Sequence, residues 1–184
     1  KSTLTVQFSK LMSVRQVIAE EKLENTIELA ENILAQGKKI IIFTCFTNTL
    51  NKLVEKFGKE CVYLDGSSTT SQRQKAVDDF QNNDKIKVFV GNLKSAGVGI
   101  TLTSAEAVIF NDLSFLPSDH SQAEDRAYRY GQKNSVLVYY PVFENTIEIQ
   151  VYNILQRKKG IIDQVMGDGE YSDTFANELL KNLI

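Results

Sequence analysis

The stretch KKIIIFT, residues 38–44, sets four consecutive apolar side chains, Ile40 to Phe43, between a pair of lysines and a threonine. A run so short, so rich in β-branched residues and without alternating polar positions predicts a strand buried on both faces. That is the condition of a strand inside a parallel sheet covered by helices on each side, and the flanks agree with it. On its N-terminal side, LMSVRQVIAEEKLENTIELAENILAQG (11–37) carries Leu23, Ile27, Ala30, Ile33 and Leu34 at helical spacing and stops at Gly37. This predicts an amphipathic helix, broken near Ala19. On its C-terminal side a helix is expected over residues 48–57, ended by Gly58.

The alternation continues. CVYLD (61–65) predicts a second strand, and after the turn DGSS a helix is expected over 70–80. IKVFV (86–90) is the third strand, followed by the loop GNLKSAGVG (91–99), and AVIF (107–110) is the fourth, ending at Asn111 and Asp112. The next helix is entered through Ser118 or Ser121, with Ser121 and Glu124 spaced as a capping box and Gly131 placed as the C-terminal cap. SVLVYYPVF (135–143) is the fifth strand, and a long helix over 146–165 and the short amphipathic FANELLKNLI complete the chain. Strands alternating with helices predict an α/β fold, a doubly wound parallel sheet flanked by helices. Three parts are expected: a helical segment 1–37, a core 38–145, and a closing helix with its tail, 146–184. Ligands of such sheets gather beyond the carboxyl ends of the strands. The expected site therefore lies on a rim of Thr44, residues 65–68, residues 91–99, Asn111 and Asp112.

Composition removes several classes. The chain has 184 residues and a formal net charge of −2, enough to bury one large core and contrary to a uniformly basic nucleic-acid binder. Cys45 and Cys61 are the only cysteines and form no CxxC, so each is expected as a small buried hydrophobe in a reducing compartment. No apolar run approaches the ~20 residues of a membrane span, and no signal-peptide pattern opens the sequence, so an intracellular protein without membrane contact is expected. There is no GxxxxGK phosphate loop and no GxSxG elbow. A GxG begins at Gly97 and Gly99, but the third position of a dinucleotide fingerprint falls on Leu102. No metal-ligand cluster is visible, and His120 stands alone, read as a surface residue near a helix start.

What remains is QAEDRAYRYGQ, residues 122–132. Gln122, Arg126 and Arg129 are spaced by four and three and share one helical face. Two readings fit these residues. Asp125 and Arg129 form a solvated i, i+4 pair contributing ~0.3–0.5 kcal/mol, or the arginines are planar permanent charges presented to a phosphate. Since the chain has no phosphate cradle, that phosphate would be held elsewhere.

The segment resembles the last motif of the helicase-superfamily-two ATPases of the Swi/Snf type, QxxDRxxRxGQ. NLKSAGVGITLTSAEAVIFND resembles the motif before it, KKIIIFT the strand that opens the family's second RecA-like lobe, and YLDGSSTTSQRQKAVDDF its DG, Ser, Arg and Phe pattern. These motifs stand in the family's order over residues 38–140. QAEDR with NSVLVYY and the following TIE is most similar to the HepA-related and bacterial Swi/Snf-like branch.

The resemblance implies a RecA-like second lobe. It docks on a first RecA-like lobe of the same polypeptide, which carries most of the ATP and Mg2+ site, and duplex DNA lies across both. It implies that Arg126 and Arg129 reach the nucleotide phosphates as catalytic residues. Gln122, Asp125, Gly97 and Gly99 serve the nucleotide site. Thr44, Gly66, Ser67, Lys94 and Ser95 touch the DNA backbone. No metal ligand is assigned to this chain. The location follows the source: nucleus in a eukaryote, cytoplasm or nucleoid in a prokaryote or phage.

Departures from the family pattern are Tyr128 and Tyr130 for His and Ile, Ser95 and Ala96 for the Ala and Gly of AGG, and SFLP (114–117) where a Trp, Asn and Pro are usual. Phe115 is then the partial substitute for the tryptophan. Several points stay open at this level. Residues 11–35 are core cover or a helical protrusion. The basic end of the last long helix, Arg157 to Lys159, is a brace against the first lobe or compensates the helix dipole. Tyr139 and Tyr140 read as packing. The alternative to a motor lobe is a catalytically inactive lobe serving as an interaction module, and an RNA helicase is disfavoured by Gln132.

Overall fold

The computed structural model describes residues 2–96, 99–128 and 135–162. Among these residues five strands form one all-parallel sheet in the order β2-β3-β1-β4-β5. They are β1 (Ile40–Thr44), β2 (Cys61–Leu64), β3 (Val88–Asn92), β4 (Ala107–Phe110) and β5 (Leu137–Tyr139). The helices are α1 (Ser2–Glu21), α2 (Leu23–Leu34), α3 (Thr47–Phe57), α4 (Thr70–Asn82), the single turn α5 (Leu93–Ala96), α6 (Pro117–Ala127) and α7 (Ile147–Ile162). The chain starts at the centre of the sheet, winds to one edge through β2, returns by β3 and crosses to the other side of β1 through β4 and β5. This is the doubly wound topology expected, with its switch point at β1.

All five residues of β1 are buried, and the pleat divides them. Ile41 and Phe43 join Phe80, Phe89, Phe110, Ala123, Ala127, Val151 and Ile154, the core beneath α4, α6 and α7. Ile40 and Ile42 join Leu23, Ala30, Ile33, Leu50 and Leu53, the core beneath α2 and α3. Ring pairs Phe43–Phe110 at 5.5 Å and Phe80–Phe89 at 5.6 Å fill the first face. Buried Lys39 donates to the carbonyls of Phe80 (2.6 Å) and Asn83 (3.0 Å) at the C-terminal end of α4.

Local differences from the expected elements have physical reasons. The N-terminal helices break at Lys22 rather than near Ala19, because the fully buried Lys22 turns inward to a partner. The helix after DGSS carries a capping box, with Thr69 accepting from the Gln72 N–H and Gln72 accepting from the Thr69 N–H. The box expected at Ser121 and Glu124 does not form, since α6 starts earlier, with Pro117 in its first turn and no side-chain cap. Gly131 lies outside the described residues. A helical turn, α5, stands where only loop was expected. β5 is an edge strand of three residues, shorter than SVLVYYPVF, and Pro141 beyond it has no N–H to extend the ladder. FANELLKNLI lies outside the described residues.

Lys22 joins the two ends of the described fold. Its ammonium lies 2.5 Å from Glu148 Oε1 and donates to the Pro141 carbonyl at 2.8 Å, while Glu148 Oε2 accepts from the Phe143 N–H at 3.1 Å. Burial lowers the Lys22 pKa, and the Glu148 carboxylate opposes that shift. Removing one partner strands a buried charge, so Glu148→Ala is expected to destabilise the fold by about 3–5 kcal/mol in a urea titration. The double substitution Lys22→Met with Glu148→Leu should recover most of that loss, because an apolar pair carries no desolvation penalty.

Candidate functional site

The rim is organised around a carboxylate. Asp112, at the end of β4, accepts from the Thr44 hydroxyl (2.5 Å) and the Cys45 N–H (2.7 Å), and Thr44 Oγ1 in turn accepts from the Phe46 N–H (3.2 Å). Thr44 is fully buried, so the hydroxyl expected at a phosphate faces into the lobe and shapes the turn after β1. Asn92 extends this link by donating to the Cys45 carbonyl at 3.2 Å. Cys45 and Cys61 read as structural residues: burial pushes the Cys45 thiol well up, and the Cys61 thiol up to about 12.

Beside this turn, α1 crosses the rim. Arg15, buried between Leu11 and Ala19 on the inner stripe of α1, donates to the Leu113 carbonyl. Its guanidinium lies 4.1 Å from the Phe115 ring centre and 5.7 Å from that of Phe46. Phe8 adds a ring contact to Phe115 at 6.3 Å. Phe115, the aromatic expected as a duplex contact, is therefore packed against α1.

A second cluster forms at the ends of β2 and β3. Asp65 Oδ1 accepts from the Ser67 N–H (2.9 Å), the Ser67 hydroxyl (2.8 Å) and the Ser68 hydroxyl (2.9 Å), bonds that lower its pKa. Arg73 of α4 donates to the carbonyls of Ser95 (2.7 Å), Ser68 (3.3 Å) and Asp65 (3.4 Å). The two turns are so close that a Cβ at Gly66 would lie 3.5 Å from Ser95 Oγ. Gly66, Ser67 and Lys94 are exposed and Ser95 is half-buried. Four of the five residues expected at a nucleic-acid backbone thus share one surface, and Thr44 stands apart. An open groove of about 300 Å³ continues from it between Thr70, Arg73, Gln74 and Val77 on one side and Gly99, Ile100 and Thr101 on the other.

Gly99 has φ +74°, a left-handed conformation suited to glycine. Past it the chain meets α6. Arg126, only 9% exposed, donates to the carbonyls of Gln122 (2.9 Å) and Ile100 (3.3 Å), and its own carbonyl accepts from the Leu102 N–H at 2.8 Å. Gln122 and Asp125 of the same helix are exposed. Gly97 and Arg129 lie outside the described residues.

His120 differs from its expected surface position. It is 5% exposed, with its ring 4.9 Å from Phe110 and 5.6 Å from Tyr140, and Nε2 accepts from the Ser114 N–H at 3.0 Å. Tyr140 stacks on Phe110 at 4.7 Å, the packing role expected of it. Among the described residues no acidic, histidine or cysteine group could hold a metal ion, and no helix is long and apolar enough to cross a membrane. Sequence reasoning overlooked Lys22, Glu148 and Arg15, although a charge at an apolar helical position, as Arg15 is between Leu11 and Ala19, is a usable signal.

The pattern of the helicase conserved C-terminal domain matches residues 21–131. The chain is 36% identical over 162 residues to Helicase swr1 of Aspergillus fumigatus, covering 86% of this chain and 10% of that protein. It is 39% identical over 151 residues to ATP-dependent helicase fft1 of Schizosaccharomyces pombe, covering 80% and 16%. Among solved structures, the Sulfolobus solfataricus SWI2/SNF2 ATPase core in complex with dsDNA superposes with a TM-score of 0.71 at 29% identity, over 89% of this chain and 38% of that one. The C-terminal part of the Fun30 ATPase domain gives 0.69 at 28% identity, over 88% and 54%. The chain spans about a tenth to a sixth of the length of these two helicases.

Burial holds the His120 pKa below its ordinary 6.5. The unfolded chain then takes up a proton that the folded chain refuses, so stability present at neutral pH is lost as pH falls below about 6.5. The urea midpoint of the folded protein should drop between about pH 7.5 and 5.5, and His120→Gln should flatten that slope.

Proposed function

We propose, from the premise that this chain belongs to the helicase conserved C-terminal domain family and has the RecA-like second lobe of Swi/Snf-type ATPases, that it is the second motor lobe of a DNA-dependent ATPase translocating on duplex DNA. The supporting observation is the arrangement of two surfaces on one lobe. Gly66, Ser67, Lys94 and Ser95 form one, α6 carries the other, and Arg126 of α6 bonds Ile100 and Leu102, which follow the Ser95 segment in the chain.

In this reading the Gly66 N–H, the Ser95 hydroxyl and the Lys94 ammonium hold the phosphodiester backbone without reading bases, and Ser67, whose N–H and hydroxyl donate to Asp65, closes the turn that meets it. Arg126 of α6, and Arg129 beyond it in sequence, meet the nucleotide phosphates, with Gln122 and Asp125 orienting that face and Gly97 and Gly99 letting the loop approach it. Arg126 starts from a buried position in which it also bonds the Ile100 carbonyl, so a movement of α6 would be felt by the loop. ATP, with Mg2+ held by the first lobe, supplies the phosphoryl bond whose hydrolysis drives the cycle. Thr44 acts indirectly, through Asp112 and the turn after β1. α2 serves as core cover for residues 38–145, and α7 as the brace toward the first lobe. The relatives' fungal sources favour a nuclear setting if this chain is eukaryotic.

The test is an ATPase assay on the full-length protein with duplex, forked and single-stranded DNA. Arg129→Ala should keep ATP and DNA binding while losing about a thousandfold in duplex-stimulated turnover. Unchanged turnover would overturn the arginine assignment, and no stimulation of the unmodified protein by any DNA would favour an interaction module. Separately, Lys94→Ala should reduce the salt dependence of duplex binding by about one unit of log–log slope, as loss of one phosphate contact does.

A further inference from the structure

We infer that Arg73 is a positioning residue that holds the 65–68 turn and the Ser95 end of α5 at one separation, so that both meet the same DNA backbone; this rests on the duplex-DNA reading above. Its three acceptors are main-chain carbonyls from two different segments, Ser68 and Asp65 on one side and Ser95 on the other. The shortest bond, 2.7 Å, is the one that crosses the gap to Ser95. Among the described residues Arg73 forms no ion pair with a carboxylate. The Asp65 carboxylate beside it is occupied by Ser67 and Ser68.

The base of the side chain is firm. Arg73 lies in the first turn of α4, its N–H bonded to the Thr69 carbonyl at 2.9 Å and that turn closed by the Thr69–Gln72 capping box. A planar guanidinium with five donors in a fixed fork can bridge separate carbonyls at once, which a single ammonium on a flexible stem does poorly. The consequence is the close approach at Gly66, where the two phosphate-facing turns nearly touch. The far end of the same loop is held at Ile100 and Leu102 by Arg126. Arg73 therefore anchors the loop's start to the DNA-side turn, and Arg126 anchors its end to α6.

The experiment uses the full-length protein carrying Arg73→Lys or Arg73→Ala, with duplex-stimulated ATPase kinetics, salt-dependent duplex binding and amide hydrogen exchange. Arg73→Lys keeps the charge and loses the fork. It is expected to lower kcat at saturating duplex on the order of tenfold while KM for ATP and Tm stay unchanged, since misplaced contacts act on the productive geometry. Amides of residues 65–68 and 93–96 should exchange faster together. Full stimulated turnover in Arg73→Lys would overturn the inference. So would an Arg73→Ala protein whose salt slope falls by about one unit while Arg73→Lys keeps the original slope, because Arg73 would then be a phosphate ligand itself. If the unmodified protein shows no duplex stimulation, the duplex reading fails and the exchange measurement alone decides. Joint loosening of both segments supports the arginine's hold, and loosening confined to 65–68 overturns it.

Discussion

β1 has no side that faces water, and that constraint governs its surroundings. All five residues are buried, so both faces of the sheet must be covered at its centre: α2 and α3 do this for Ile40 and Ile42, and α4, α6 and α7 for Ile41 and Phe43. Only the two ends of the strand can carry polar groups, and both are tethered by them. At the N-terminal end Lys39 caps α4; at the carboxyl end Thr44 bonds Asp112. With the strand held at each end, its neighbours β3 and β4 align their own ends at the same height, and the loops that follow them open onto one rim.

Buried charge completes the assembly around that rim. Lys22 and Glu148 are 126 residues apart in the chain and meet at 2.5 Å, joining the break between α1 and α2 to the start of α7. Such a pair gains little net stability over an apolar one, so its consequence is geometric: it sets where α1 leaves the sheet. Once so directed, α1 lays Arg15 between Phe46 and Phe115 and onto the Leu113 carbonyl. The same placement turns Phe115 from a candidate duplex contact into part of the lobe's own packing. Asn111 supports this arrangement by donating to the Ala19 carbonyl at 3.1 Å, an approach that a small, fully buried alanine permits.

The kind and order of elements were legible because they rest on local periodicity: apolar runs bounded by glycine, and helical stripes between them. The rim was legible for the same reason, since it follows from topology. What escaped depends on partners distant in sequence. A lysine in an amphipathic run reads as exposed until Glu148 is placed beside it, and so the helix break was expected three residues early. His120 reads as a surface residue until Phe110 and Tyr140, from two different strands and their ends, close over it. Thr44 reads as a free hydroxyl until Asp112 takes it. In the candidate site, topology already put Gly66, Ser67, Lys94 and Ser95 on one rim, whereas Arg73 stood inside a motif with no role, because its acceptors are carbonyls that side-chain patterns do not reveal.

Arg73 and Arg126 each bind the segment between the two candidate surfaces through main-chain carbonyls. Packed apolar contacts resist displacement but tolerate sliding, whereas hydrogen bonds to main-chain carbonyls fix both position and direction. The connection from the 65–68 turn to α6 uses the second kind at both ends, Arg73 to Ser95 and Arg126 to Ile100, with the Leu102 N–H returning to Arg126. Ile100 and Leu102 are buried, so the loop's far end is held by the core as well, and Gly99 beside them is exposed and left-handed. A displacement of α6 would therefore reach the loop first at Ile100, and the conformational freedom to absorb or pass it on lies at the adjacent glycine. On the proposed reading, the direction in which Arg73 holds Ser95 sets how such a movement arrives at the 65–68 turn.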